Sequence, residues 1–327
     1  MANEPSSKQR ADALYARSLE LLSIDVESVK AAWDECCALL GQRPKGPQSA
    51  LLHRVFDQAA RAAQAVGWDG TVVLKDGKVL VEQDGVLLDA GDLRYFRKAA
   101  GSAAAGMLAF MDRYGIPAHT VFDVGANVGE IALHIARHRP DAQVYAFEPA
   151  ADGLEVFEAN IALQREPLPN LHLVKEAISD RSGEIEITVG GNSLNTVLVS
   201  DNLERLKKAG DIRIDRVPTD TLEGYCSRFG VQTIDLLKID TEGGEPLLAG
   251  SIRALKGRIE AARVEISRYN TVEAYLDLID AFDAAGLVML RKGGVAVTDP
   301  GPFVREQLQT AAAINVWFLS RNHWAGR

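Results

Sequence analysis

The run Val121-Phe-Asp-Val-Gly-Ala-Asn-Val-Gly-Glu130 limits what this chain can fold into more than any other stretch. Val121, Phe122 and Val124 suit a buried strand. Gly125 permits a tight turn, and Gly129 lets a helix start close to whatever sits on that turn. Asp123 stands near the carboxyl end of the strand, where a carboxylate is costly to bury unless something pairs with it. A second apolar run, Gln143 to Phe147, ends in Glu148-Pro149. In open α/β sheets, ligands bind in the crevice beyond the carboxyl ends of the strands. An acid ending the second strand, roughly 20 residues past the glycine turn, is placed for ribose hydroxyls. The expectation is an α/β chain with a nucleoside site.

The turn also narrows the choice of nucleoside. A dinucleotide site uses G-x-G-x-x-G, so that helix amides cradle a pyrophosphate. Here no glycine stands at Asn127, and Asp123 precedes the first glycine by two residues, where it would repel a pyrophosphate. A cationic group fits better, such as the amino or sulfonium end of S-adenosylmethionine (SAM). A nicotinamide-dependent oxidoreductase is disfavoured on the same ground.

With 327 residues there is room for one large domain or two modest ones. The formal net charge of −9 argues against bulk attraction to nucleic acid or anionic membrane. Cys36, Cys37 and Cys226 form no CxxC pattern and read as small packing residues of a reducing compartment. Residues 1–10 are polar, read as disordered, and lack the apolar core of a signal peptide. No apolar run approaches the ~18 residues of a membrane span, so a cytoplasmic enzyme is expected.

Residues 1–115 read as a helical and β-hairpin appendage. Amphipathic helices come first, a hairpin turns at Asp76-Gly77, and a helical stretch runs from Gly91 to Tyr114. This part is expected to cover the acceptor side of the core, with self-association as the rival use. Residues 116–327 read as the α/β domain. Its expected strands are Thr120 to Val124, Gln143 to Phe147, Leu171 to Ile178, Ile234 to Ile239, Ala262 to Ile266, Leu287 to Leu290 and Ile314 to Leu319. Helices are expected over Gly129 to Arg139, Ala151 to Leu163 and Val272 to Ala285. His134 and His138 stand four apart with no acid or cysteine to complete a metal set, so they read as packing or surface residues.

A second stretch carries chemistry: Ile234-Asp-Leu-Leu-Lys-Ile-Asp-Thr-Glu-Gly-Gly-Glu245-Pro-Leu-Leu-Ala-Gly250. A buried strand ends in three acids, Asp240, Glu242 and Glu245, and Gly243-Gly244 lets the chain turn among them. Glu245 also suits the first turn of a helix through the dipole. Glu265 falls near the end of the next strand. Carboxylates at adjacent strand ends open into one crevice, so Glu242, Asp240, Glu245 and Glu265 are the candidate catalytic acids, with Glu242 favoured as the base. The rival for Glu242 is a helix cap behind Gly243.

These stretches resemble the FkbM family of SAM-dependent methyltransferases. The marks are VFDVGANVGE at 121–130, AFEP at 146–149, EAISD at 176–180 and LLKIDTEGGE at 236–245, followed by Leu248 and Gly250. Two departures are Gly244, where the family often has alanine, and Asp220-Thr-Leu-Glu223, where it usually reads Thr-Leu-Asp. The resemblance implies a Rossmann-like class I methyltransferase sheet of seven strands with the last antiparallel, inserted at an edge. It implies that Asp123, Gly125, Asn127 and Gly129 line the methionine and ribose portion of SAM. Glu148 would bond the ribose hydroxyls, Glu176 and Ala177 would lie at the adenine edge, and Asp240 would face the methionine amino group or the transfer site. The implied reaction is O-methylation of a sugar or secondary-metabolite hydroxyl, with S-adenosylhomocysteine as product. The expected partner is a small-molecule or glycan acceptor, and no resident metal is called for. Two alternatives stand beside it: Mg²⁺ held by Asp240, Glu242 and Glu265, and a SAM-binding scaffold without turnover.

Overall fold

Val, Ile and Leu dominate the runs that become strands, and the most apolar of them end up in the middle of the sheet. The structure is a computed structural model that describes residues 70–75, 78–90, 102–189, 213–291 and 293–324, and a few helical positions between 37 and 61. The expected helices before the hairpin therefore lie largely outside the described residues. The chain divides into two compact units, residues 1–105 with 159–166, and residues 106–158 with 167–327.

In the first unit, β1 (Thr71–Lys75), β2 (Lys78–Gln83) and β3 (Val86–Asp89) form an antiparallel meander. Asp84-Gly85 turns β2 into β3, with both residues at positive φ. The Asp89 amide donates to Asn160 Oδ1 at 2.8 Å, and Gln164 Nε2 donates to the Leu87 carbonyl at 2.7 Å.

Helix α1 (Ser102–Tyr114), in the second unit from Gly106 on, precedes β4 (Thr120–Val124). Next come α2 (Glu130–His138), β5 (Gln143–Phe147), α3 (Ala151–Leu163), whose residues 159–163 belong to the first unit, and β6 (Leu171–Val174). After β6, the strands β7 (Ala177–Ile178), β8 (Gly183–Val189) and β9 (Arg213–Asp220) make a small sheet of their own, order β7-β9-β8. Helix α4 (Leu222–Phe229) leads to β10 (Ile234–Ile239). A 3₁₀ turn at Glu245–Leu248 and α5 (Ala249–Ala254) follow, then β11 (Ile259–Ser267) and α6 (Val272–Ala284). The chain continues through β12 (Leu287–Arg291), β13 (Val295–Ala296), α7 (Pro300–Thr310), β14 (Ala313–Ser320) and α8 (Arg321–Trp324).

The large sheet has the order β13-β12-β14-β11-β10-β4-β5-β6. Its core is parallel: β10 pairs with β11 and β4, β4 with β5, and β5 with β6. The last strand, β14, is antiparallel to both β11 and β12 and lies between them. The seven expected strands are therefore present, and two-residue β13 adds an eighth at the rim. Central β10 is buried along its whole length, so its run Ile-Asp-Leu-Leu-Lys-Ile contains two charged side chains that need partners. Asp235 finds one in the Thr120 amide at 2.9 Å, which ties the start of β10 to the start of β4.

One sequence expectation needs correction. The run from Leu171 to Ile178 is not one strand: β6 stays in the large sheet, and β7 crosses to pair with β9. The break falls at Lys175-Glu176. The Glu176 carboxylate accepts both terminal nitrogens of Arg228, at 2.8 and 2.9 Å, and the Tyr225 hydroxyl at 2.8 Å. Tyr225 and Arg228 belong to α4, where Leu222, Tyr225, Cys226 and Phe229 recur at helical spacing. Its ends are capped: the Thr221 hydroxyl accepts the Gly224 amide, and Gly230 closes the helix at φ 70°.

Candidate active site

Strand parity assembles the site. Asp123 on β4 lies opposite Lys238 on β10, which lies opposite Arg263 on β11, which lies opposite Trp317 on β14. Side chains directly across a sheet share a face, so this row crosses four strands on one side. Two residues further along the same face come Gly125, Asp240 and Glu265.

Asp123 and Lys238 are both buried, and Nζ lies 3.0 Å from Asp123 Oδ1. The ammonium also donates to the Gly125 carbonyl at 2.6 Å and stands 3.7 Å from Asp240 Oδ2. Burial works against its charge, but Asp123 and then Asp240 outweigh that and hold the Lys238 pKa above its ordinary value. Asp123 Oδ2 is buried and accepts no hydrogen bond.

The glycine turn is fixed from both sides. The Gly125 and Ala126 amides donate to the Phe147 carbonyl at 3.0 and 2.9 Å, and the Asp240 amide donates to the Val124 carbonyl at 3.1 Å. A Cβ at Gly125 would lie 1.9 Å from the Asp240 carbonyl oxygen, so glycine is required here by the approach of the β10 end. At Gly129, with φ 82°, the intruding group is the Phe157 ring of α3, 2.1 Å from where a Cβ would stand. Gly129 thus serves helix packing. Asn127 takes a left-handed φ of 52° and points its amide at Glu148 Oε2, 2.8 Å away. The other oxygen of Glu148 accepts the Ala150 amide at 2.9 Å. Burial raises the Glu148 pKa, and these two amides pull it back.

The acids after β10 divide into two kinds. Glu245 is buried, and its carboxylate accepts the Thr241 amide at 2.8 Å, the Thr241 hydroxyl at 3.0 Å and the Gly243 amide at 3.1 Å. The Tyr275 hydroxyl approaches its second oxygen at 3.3 Å, and Asn270 Nδ2 donates to the Gly243 carbonyl at 2.8 Å. Inside this latch Glu242 adopts φ 55°, a conformation that costs a non-glycine residue energy. Asp240, Glu242 and Glu265, by contrast, are half-buried, with one oxygen of each inside a 4.8 Å span. Burial, followed by repulsion from Asp240 and Glu242, pushes the Glu265 pKa up to about 8.

The structure thus brings together Asp123, Gly125, Asn127, Gly129 and Glu148 at one end, and Asp240, Glu242 and Glu265 at the other, with Glu245 beneath. Glu176 and Ala177 bond to α4 and β9 rather than to these residues. The Glu176 carboxylate is held by Arg228, and the Ala177 carbonyl accepts the hydroxyls of Tyr225 and Thr219 at 2.9 and 3.2 Å. Glu176 is accordingly acidified, first by its bonds to Arg228. His134 is buried in α2, with Nδ1 2.8 Å from the Glu130 carbonyl, as befits packing. The reading of the sequence missed Lys238 as the partner of Asp123, and Arg263 altogether. Alternation from Glu265 would have put Arg263 on the site face.

The described residues form a Rossmann-like sheet whose glycine turn is flanked by acids. The methyltransferase FkbM domain matches residues 123–290, about half of the chain. The 2-O-methyltransferase NoeI of Sinorhizobium fredii (strain NBRC 101917 / NGR234) is 28% identical over 186 residues, covering 51% of this chain and 73% of that protein. Methyltransferase sdnD of Sordaria araneosa is 28% identical over 179 residues, 47% of this chain and 66% of that protein. A solved FkbM methyltransferase from Methylobacillus flagellatus KT superposes with a TM-score of 0.38 at 11% identity, over 87% of this chain and 65% of that one. The chain belongs to the FkbM methyltransferase family. No helix among the described residues is long and apolar enough to cross a membrane.

Proposed function

We propose that the chain is a SAM-dependent O-methyltransferase acting on a hydroxyl of a small molecule or glycan. The observation that carries the reading is the buried Asp123, with one oxygen unbonded, beside a glycine turn whose Asn127 amide is held by Glu148. The charges fit a cationic ligand: Asp123, Glu148, Asp240, Glu242 and Glu265 share the region with Lys238 and Arg263. Asp123 and Asp240 would hold the methionyl amine, and Glu148 the ribose hydroxyls through its remaining lone pairs. Glu176, clamped by Arg228, would wall the adenine end rather than read it.

When bound, SAM supplies a methyl group already activated on a sulfonium. The protein must align the acceptor oxygen with it, and such positioning supplies several kcal/mol of a barrier. It must also take the hydroxyl proton. We assign that proton to the Glu242 carboxylate, with Asp240 on the cofactor side and Glu265 beside them, its own pKa raised by burial and by those two acids. Glu245 acts through the loop it holds. The NoeI name, a 2-O-methyltransferase, supports oxygen as the acceptor atom. A screen of hydroxylated acceptors scored by S-adenosylhomocysteine release tests the reading. Release with at least one hydroxyl acceptor is expected. SAM binding with no turnover on any acceptor would leave the scaffold reading in its place.

A second reading rests on the same three half-buried acids, whose oxygens are close enough to hold one divalent cation. Turnover that survives EDTA would count against it.

A further inference from the structure

We infer that Arg263 is the anchor for the α-carboxylate of the methionyl half of SAM, a subsite that completes the cofactor reading above and rests on it. Arg263 projects from β11 in the row Asp123, Lys238, Arg263, Trp317, on the face that carries Asp240 and Glu265. Trp317 is stacked on Phe110 of α1, with ring centroids 3.7 Å apart and planes 8° from parallel, so that side of Arg263 is walled by a fixed ring. On the other side, Lys238 is already committed to Asp123, Gly125 and Asp240. Arg263 is half-buried, and its guanidinium makes neither a hydrogen bond nor an ion pair among the described residues.

That is an unusual position for a group with five N–H donors in a fixed fork. Burial lowers the Arg263 pKa, while the fields of Asp240, Glu130, Glu265 and Asp123 oppose that loss. Those acids attract the guanidinium toward the site without pairing with it. A ligand held by its amine at Asp123 and Asp240 carries its carboxylate on the carbon next to that amine. Among the acids of this region such an anion would find two bases, Lys238 and Arg263. Arg263 is the base whose donors are open, and a bidentate fork matches a carboxylate.

The test is a binding cycle read by calorimetry. Wild type and Arg263→Met are each titrated with S-adenosylhomocysteine and with its decarboxylated analogue, which keeps the amine and nucleoside. Wild type should prefer the carboxylate-bearing ligand by about 10- to 100-fold, the range for hydrogen bonds to charged groups. Arg263→Met should bind both with the weaker affinity. If melting shows that this variant does not fold, Arg263→Lys replaces it; the charge stays, the fork is lost, and the preference should shrink. Equal losses for both ligands, or an unchanged preference in the variant, would overturn the inference. Failure of wild type to bind S-adenosylhomocysteine at all would remove the cofactor reading itself, and the inference with it.

Discussion

Glu148 directly follows β5 and Glu245 opens the 3₁₀ turn after β10, the two strands that flank β4, and both are buried. Each spends oxygens on backbone amides, Asn127 of the glycine turn and Ala150 for Glu148, Thr241 and Gly243 of its own loop for Glu245. Asp240, Glu242 and Glu265 are the same residue types within the same crevice, but they are half-buried and crowd one another. The difference separates two uses of a carboxylate. One that is ringed by N–H donors fixes a turn. One that faces other acids, as Glu265 faces Asp240 and Glu242, has its pKa raised toward the range a base needs.

That comparison can be broken most sharply at Glu242. Glu242→Gln is predicted to lose about 10²–10⁴-fold in kcat while keeping its SAM affinity and melting temperature. If it instead lowers stability by roughly 1 kcal/mol and leaves kcat intact, Glu242 is only a cap. Glu245→Ala should do the reverse in the first instance. It strips a buried network of its acceptor and should cost about 3 kcal/mol, seen as a lower denaturation midpoint. An unchanged midpoint would mean that the latch around Gly243 holds without its carboxylate.

A smaller effect concerns pH. The Glu265 carboxyl titrates at about 8 in the folded chain against 4.5 for the unperturbed group. Between those values the unfolded chain has released the proton and the folded chain still holds it, so stability should fall as pH rises through that window. Glu265→Gln should flatten the fall, measured as the difference in melting temperature between pH 5 and pH 8. A slope equal to that of wild type would remove Glu265 from the crowded set.

Much of this was legible before any coordinates. The central strands announced themselves as short apolar runs, and β4, β5 and β10 begin and end where their residues said they would. The break after β6 was not legible, because it depends on Arg228 and Tyr225 reaching back some fifty positions to Glu176. The turn glycines were rightly singled out, but the groups that crowd them, the Asp240 carbonyl and the Phe157 ring, come from distant segments. Gly244, a departure from the family pattern, lies at φ −85°, a backbone conformation that alanine also adopts. Glu245 carried both a catalytic and a structural reading in sequence, and only its hydrogen bonds separate them. Arg263 and Lys238 needed the register of three strands.

The central claim is that the crevice beyond β4 and β5 binds SAM through carboxylates. Calorimetric titration of S-adenosylhomocysteine into wild type and Glu148→Ala tests it most directly, with NAD(H) as the control ligand. Wild type should bind one S-adenosylhomocysteine and no NAD(H), and Glu148→Ala should bind more weakly by about 1.5–3 kcal/mol. Equal affinity in the two proteins would contradict the assignment of Glu148, and binding of NAD(H) in place of S-adenosylhomocysteine would contradict the account as a whole.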